Sequence, residues 1–498
     1  MRAVQAILRT SLVLAISSLA LVACGGDDGD NGGSGPSAGA AGAPSSEAGA
    51  GGESGSSQSA GGESGETGAE EPRIELFSWW TSGSEQAALE AAFAVHKEKY
   101  PDVTIENAAE EFADKARDTL VKRLNPDNYN PPDLFQANIG SDLLRWETKL
   151  TPLDDLAKSQ GWRDVIPAPI LELASAGGKL YGVPVNVHRN NTLYYNVKMF
   201  KEYDLPVPTA NMGIEDFNAL LAKIKETKGL EEVAPMSIGI GKGPWTLALM
   251  VHEAIFPAMA GAEYYTKFWS GNGVWNVEDP TKVEDEKFKA AIEEALFIYC
   301  GEVTTPGECK NGFLNADFAD PDFDWTAGVK LFAEGKAAMT VMGDWAKPEI
   351  EAAGMVPGTD FAACPFPESG GTFVWTADTF AMPKDPPHPK NASLLLETLG
   401  SKEGQLAFNR KKGSIPVRTD LSDSEGLDPV AKQTMLDFKT GTLATAVSGL
   451  RRAGAAPEGD NKLRESLDSA TIDIYYNYMR YQYPTLRGLP AIDPPKEP

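Results

Sequence analysis

From Arg73 onward, stretches in which every second position is apolar alternate with stretches whose apolar positions recur every three or four residues. Arg73 to Phe77 reads as a first strand, and Ser84 to Lys99 as a helix stopped near Tyr100-Pro101. Val103 to Ile105 is a second strand, Phe112 to Leu124 a second helix, and Asp133 to Gln136 a short strand after a proline-rich turn. Such alternation predicts a parallel sheet in an α/β lobe. "GGKLYGVPVNVHRNNTLYYN" (residues 177–196) reads as two strands, long enough to pass from one lobe to another. Phe200 to Gly229 is helical but broken by "LPVPT", the block from Pro244 to Trp269 is helix-rich, and Lys287 to Tyr299 is helical again. Asp324 is placed to N-cap a helix over Trp325 to Glu334 that Gly335 ends. "KAAMTVMGDWA" is a strand and turn, "AMPKDPPHPK" a loop, and the remainder mostly helical.

The first 72 residues have neither rhythm. Arg2 and Arg9 precede a 13-residue apolar run, Ser11 to Ala23, which is too short for an ordinary membrane-spanning helix and reads as a secretory leader. It ends in "LVAC", which resembles the lipobox of bacterial lipoproteins, with Cys24 as the lipidated residue. Residues 25–72 are nearly all Gly, Ser, Ala, Asp and Glu with no aromatic, a composition that cannot bury enough apolar surface to order itself. They form a flexible tether of about 35–40 Å reach.

The 498-residue chain carries a formal charge of −26; the leader and linker, with 9 acidic and 2 basic residues, hold −7 of it, which leaves −19 on the folded part. So acidic a folded part argues against nucleic acid and against anionic membrane surfaces as partners. Its 426 residues exceed what one core usually supports, so two lobes are expected. In an exported protein Cys300 and Cys309, which flank a turn-rich octet, are expected to pair. That leaves Cys364, whose state the spacing leaves open. No metal-ligand spacing is present, and neither metal nor cofactor is expected.

Enzyme signatures are sparse. "GIGKG" lacks the spacing and the hydroxyl residue of a phosphate loop, and there is neither a serine elbow nor an HExxH. The run "DFADPDFDW" lacks the order of a calcium loop and reads as a solvated loop with a helix cap. What recurs is an aromatic residue beside a hydrogen-bonding one at a strand end: Trp79 and Trp80, Gln136 and Asn138, Asp344 and Trp345, Trp375 and Asp378. Ligands of open α/β sheets bind beyond the carboxyl ends of strands. A sugar, with its C–H face and hydroxyl rim, suits an indole platform ringed by charged and amide groups.

Several stretches, in order from residue 74 to 420, carry a family resemblance: "IELFSWWTSGSEQAAL", "GKLYGVPVNVHRNNTLYYNVKMF", "FAEGKAAMTVMGDWAKPEI", "TADTFAMPK" and "RKKGSIPVRTD". The chain resembles the family 1 extracellular solute-binding proteins of ABC importers, and within them the glucose-type monosaccharide binders. The resemblance implies a periplasmic-binding-protein-like α/β fold of two lobes, joined by hinge strands, with a cleft between them. On this reading lobe 1 comprises residues 73–184 and 345–388, and lobe 2 comprises residues 185–344 and 389–498 with the tail. It implies a ligand site of Trp79, Trp80, Lys115, Gln136, Asn138, His188, Trp245, His252, Asp344, Trp345, Asp378 and Lys412. Arg452 and Asn138 stand where histidines are common, which leaves the sugar open between glucose, an acidic or amino derivative and a longer saccharide. The implied protein is a monomeric, non-catalytic, lipid-anchored importer component outside the cytoplasmic membrane, delivering a sugar to permease subunits. Two other readings share these residues: a lipid-anchored glycoside hydrolase using Asp344 and Asp378 as its carboxylate pair, and a sugar sensor without transport.

Overall fold

The computed structural model describes residues 71–446 apart from 82, 111–112, 240–245, 247–248, 270–284, 302–311, 319, 321 and 422–426. Cys24, Trp245, Arg452 and the side chains of the expected Cys300–Cys309 pair lie outside the described residues.

The first lobe is built on β1 (Arg73–Ser78), β2 (Thr104–Ala109) and β3 (Leu134–Asn138), which run parallel with β1 in the middle. Next come a hairpin of β4 (Ser175–Ala176) and β5 (Lys179–Leu180), and then β6 (Gly182–Pro184). The chain crosses through β7 (His188–Arg189) to the second lobe, whose sheet holds β8 (Thr192–Asn196), β9 (Ala234–Ser237), β10 (Ala337–Met342) and β11 (Phe361–Pro365). It returns through β12 (Thr372–Thr376) to β13 (Asp378–Ala381), and β14 (Thr442–Thr445) comes last. The sheet orders are β2-β1-β3-β13-β6, β11-β8-β10-β9 and β14-β12-β7. The expected parallel arrangement holds for β1 to β3, but β13 runs antiparallel to both β3 and β6.

Local chemistry explains the helix boundaries. The Asp324 carboxylate accepts from the Ala327 N–H at 3.0 Å, and Gly335 beyond the helix takes a left-handed φ of 73°. Asn196, Asp285, Ser401 and Asp428 cap the helices Val197–Glu202, Glu286–Cys300, Lys402–Lys412 and Pro429–Thr440 in the same manner. β10 is buried at all six positions because neighbouring strands and helices cover it on both sides.

The third sheet divides the two cores. In β12, Phe373 and Trp375 pack into the first-lobe core while Val374, between them, packs into the second. Alternation of side chains along a strand makes this possible. One residue, Ala377, separates β12 from β13, which belong to different sheets. The buried Asn191 amide strengthens the crossing by donating to the Thr372 carbonyl at 2.8 Å and accepting from the Val374 N–H at 3.1 Å.

The expected division of the return segments holds only in part: Phe373, Trp375 and β13 lie in the first lobe as expected, but the segment before them and the helices after them do not follow it. The helix Ala346–Ala352 packs with Tyr194, Phe332 and Phe361 of the second lobe, and β11 pairs antiparallel with β8. The helices Pro389–Leu399 and Lys402–Lys412 instead pack on the helix Gly83–Lys99 of the first. His96 of that helix is buried there, with its Nδ1 2.9 Å from the Thr398 hydroxyl. The helix Pro389–Leu399 buries an apolar stripe of Ala392, Leu395, Leu396 and Leu399 there, whereas Lys402–Lys412 buries Phe408 together with Gln405, Asn409 and Lys412, each of them hydrogen-bonded.

The second core is dominated by rings. Phe256 is fully buried, 4.9 Å from Phe268 and 5.2 Å from Phe288 between centroids. Phe256→Ala is expected to lower the unfolding free energy by about 3–5 kcal/mol, read by urea denaturation followed by circular dichroism.

Candidate ligand-binding site

A chain of buried ionic groups runs from one lobe to the other across the hinge. It begins with Lys412, the last residue of the helix Lys402–Lys412, where Gly413 closes the helix at a φ of 84°. That glycine is required twice over: a Cβ would lie 2.6 Å from Pro348 Cδ and 2.8 Å from the Asp344 carbonyl oxygen of the second lobe. The Lys412 ammonium donates to Glu85 Oε1 at 2.7 Å and sits 5.0 Å from the Trp80 ring centroid. Burial works against its charge, but Glu85, Asp378 and Asp344 outweigh it and raise its pKa.

Asp378 opens β13, and its backbone N–H donates to Asn186 Oδ1 at 2.7 Å. Its Oδ2 accepts from Asn186 Nδ2 at 2.8 Å and faces His188 Nε2 at 3.2 Å. Gln136 Nε2 approaches its Oδ1 at 3.4 Å. Burial opposes the Asp378 anion, yet the His188 hydrogen bond, Lys412 and Asn186 hold its pKa below the usual carboxylate range. On the other side of the imidazole, Nδ1 is hydrogen-bonded to Asp344 Oδ1. Asp344 follows the end of β10, and its other oxygen accepts the Arg189 backbone N–H at 3.0 Å. The imidazolium has a donor for each of these carboxylates, which neutral histidine lacks. Burial disfavours that form, as does Lys412, but Asp344 and the two carboxylate hydrogen bonds prevail and raise the His188 pKa. The Trp345 ring meets His188 edge to face at 5.3 Å. Its six-membered ring lies against Gly343, where any Cβ would collide with it.

The two adjacent tryptophans separate in role. Trp80 is 1% exposed and packs on Phe380 and Phe408, serving as the floor beneath Lys412. Trp79 is half-buried, donates its backbone N–H to Gln136 Oε1 at 3.2 Å, and its ring centroid lies 5.4 Å from the Arg117 guanidinium. Trp79, Gln136, Arg117 and Asp142 line a small cavity of about 10 Å³. A larger groove of about 340 Å³, lined by Leu153, Leu156, Met382 and Ser393, has no part in the ionic chain. Asn138 stands opposite Asp378 in register, and its backbone N–H donates to Asp142 Oδ2 at 3.0 Å.

Two sequence-predicted residues stand apart. His252 is buried in the second core, 5.1 Å from Trp269 and 5.5 Å from Phe288, and burial pushes its pKa down to about 3. Its neighbour Glu253 is the residue that reaches the crossing segment, accepting from Asn190 Nδ2 at 2.6 Å. Both sit on the π-type turn Leu249–Ile255, which shifts the faces of the helix. Lys115 is exposed, and Arg117, two positions on, is the cation at Trp79. Sequence reasoning does not single out Glu85, Asn186 or Ser414, whose hydroxyl accepts from Asn186 Nδ2 at 3.2 Å and donates to Asn409 Oδ1 at 2.7 Å. Glu85 lies inside "ELFSWWTSGSE" and Asn186 inside "GVPVNVHR", so nearness to the singled-out residues was the available signal. Cys364 is a free, half-buried thiol, pushed up to about 12 by burial. Among the described residues no group of His, Cys, Asp and Glu is placed to hold a metal ion, and no helix is long and apolar enough to cross a membrane.

Two predictions follow from this geometry. Gly343→Ala is expected to displace the Trp345 indole from His188, seen as a change in near-ultraviolet circular dichroism with the far-ultraviolet spectrum retained. The second concerns pH. A raised His188 pKa contributes stability that is complete below the unfolded value of 6.5 and is lost as pH rises through the folded value. His96 and His252, lowered to about 4 and about 3, act oppositely: their contribution is lost as pH falls below 6.5. Denaturation midpoints should therefore decline on both sides of about pH 6.5, and His188→Gln should abolish only the alkaline decline.

Comparison with known proteins agrees with this architecture. Residues 91–434 match the sequence model of the bacterial extracellular solute-binding protein family. An ABC transporter extracellular-binding protein of Pyrococcus horikoshii is 30% identical over 387 residues, covering 77% of this chain and 80% of that one. A probable sugar-binding periplasmic protein of Mesorhizobium japonicum is 30% identical over 380 residues, 74% of this chain and 82% of its own. The xylose/arabinose-binding protein of Haloferax volcanii is 28% identical over 365 residues, 72% and 73% of the two chains. In fold, a chitin oligosaccharide binding protein superposes with a TM-score of 0.62 at 18% identity, over 84% of this chain and 99% of its own. With its two lobes and hinge-spanning polar chain, the protein belongs to the bacterial extracellular solute-binding protein family.

Proposed function

We propose that this protein is the sugar-binding component of an ABC importer, anchored through a lipid on Cys24 and delivering a mono- or small oligosaccharide to membrane permease subunits. The observation that carries the reading is the run of polar groups Lys412–Asp378–His188–Asp344, contributed by both lobes and bordered by Trp80 and Trp345. Such a run supplies anionic acceptors for sugar hydroxyls, a cation for ring or hydroxyl oxygens, and indole surfaces for C–H faces. In the proposed mechanism one lobe captures the sugar, and hinge closure brings Asp344 and Trp345 against it. The sugar favours the closed arrangement only through its greater affinity for that state. The relatives named for sugar, xylose and arabinose binding support this ligand class.

The site supports binding over turnover. A glycosidase needs one carboxylic acid with a raised pKa facing its substrate. Asp378 is held below its ordinary value, and both Asp378 and Asp344 are engaged by the same imidazole.

Calorimetric titration with xylose, arabinose, glucose and then oligosaccharides is expected to find a stoichiometric ligand and no release of labelled product. Asp344→Ala should weaken that ligand about 10- to 150-fold, the range for a lost charge-assisted hydrogen bond. Trp345→Ala should weaken it as well. Unaltered affinity in both variants would move the site elsewhere, and product release would make the protein a hydrolase.

A further inference from the structure

A second contact joins the lobes away from the ionic chain. The helix Ala346–Ala352 belongs to the second lobe, where Ala346 and Ile350 pack with Val329, Phe332 and Met342. Glu349 on this helix is half-buried and points the other way. Its Oε1 accepts from the Ser84 hydroxyl at 2.9 Å and is 3.5 Å from the Ser84 N–H. Ser84 is the second residue of the 17-residue helix Gly83–Lys99 in the first lobe. The approach is close enough that a Cβ at Gly83, where φ is 63°, would lie 3.2 Å from the same oxygen.

The first N–H groups of a helix have no partner within it, and its N-terminus carries a partial positive charge. A carboxylate placed there is stabilising, and a capping oxygen normally comes from a residue just before the helix. Here the oxygen comes from the opposite lobe, 265 positions along the chain. The next residue, Glu85, is the one that receives the Lys412 ammonium at 2.7 Å. One helical turn therefore meets a carboxylate from the far lobe and presents its own carboxylate to the ionic chain.

We propose that Glu349 is a positioning residue for ligand capture: it caps the first-lobe helix from the second lobe, which it does only when the lobes are apposed, and so favours closure while holding Glu85 against Lys412. The inference rests on the cleft-closing reading above. An interaction made in only one of two arrangements shifts their populations by its own free energy. The range for a lost helix cap corresponds to a change of about 2- to 30-fold in the closed-to-open ratio.

The test is made on the full chain without sugar, so its outcome is independent of whether any saccharide binds. Interlobe distances are measured by pulsed electron resonance between labels at the exposed positions Glu98 and Glu202, and hydrogen exchange is followed at the amides of Ser84 to Gln86. Glu349→Ala is expected to populate longer distances and to accelerate exchange at these amides several-fold. Ser84→Ala, which leaves the second lobe intact, should lengthen the distances likewise, and the double variant should add little. Glu349→Gln, which keeps an acceptor oxygen but not the charge, should fall between wild type and Glu349→Ala. Unchanged distances in both single variants would overturn the proposal. So would a shift in Glu349→Ala that Ser84→Ala does not share.

Discussion

The His188 imidazole, held between two carboxylates from different sheets, is the interaction on which the remaining geometry depends. Asp344 arrives from the end of β10 and Asp378 from the start of β13, so one ring bridges the two lobes' sheets at the hinge in this arrangement. Burying so many charges is costly unless each is paired and hydrogen-bonded. The surrounding groups meet that demand. Asn186 both accepts from the Asp378 backbone and donates to its carboxylate, and Ser414 is bonded to Asn186 and Asn409. The helix Lys402–Lys412 is itself tied to the crossing segment, since Gln405 and Asn409 donate to the Pro184 and Val185 carbonyls. The groups of the candidate site are thus held in fixed orientations, a preorganisation that lowers the ordering cost of any contact they make.

Much of this was legible because strand ends are legible. A short apolar run followed by a polar residue and an aromatic, as in "TVMGDW", places that polar residue beyond a carboxyl edge whatever the neighbouring strands are. Asp344, Asp378, His188 and Lys412 were found in this way and by family likeness, and the structure brings all four into one chain. The Asp324 cap and the Gly335 stop were readable because both act within four residues of themselves.

What was hidden depends on contacts distant in sequence. His252 and Glu253 are neighbours, and only the π-type turn decides which faces the rings and which faces Asn190. Lys115 and Arg117 differ by two positions on one helix, and the placement of Trp79 selects the second. β11 has a proline and a cysteine and little alternation, so its strand character comes from pairing with β8 and not from its own pattern. The separation of β12 from β13 at Ala377 was equally silent, because only tertiary pairing assigns the two to different sheets. The reassigned helices of the return segments follow from the same cause.

The partition strand β12 has a mechanical corollary. Since Phe373 and Trp375 are embedded in one hydrophobic interior and Val374 in the other, neither half can slide or rotate about the strand's own axis without uprooting a buried side chain. Flexing of the ribbon is the compliant direction left, much as a leaf spring bends readily but resists shear. The two halves of such a device share one registry, because it is written into a single peptide segment common to both.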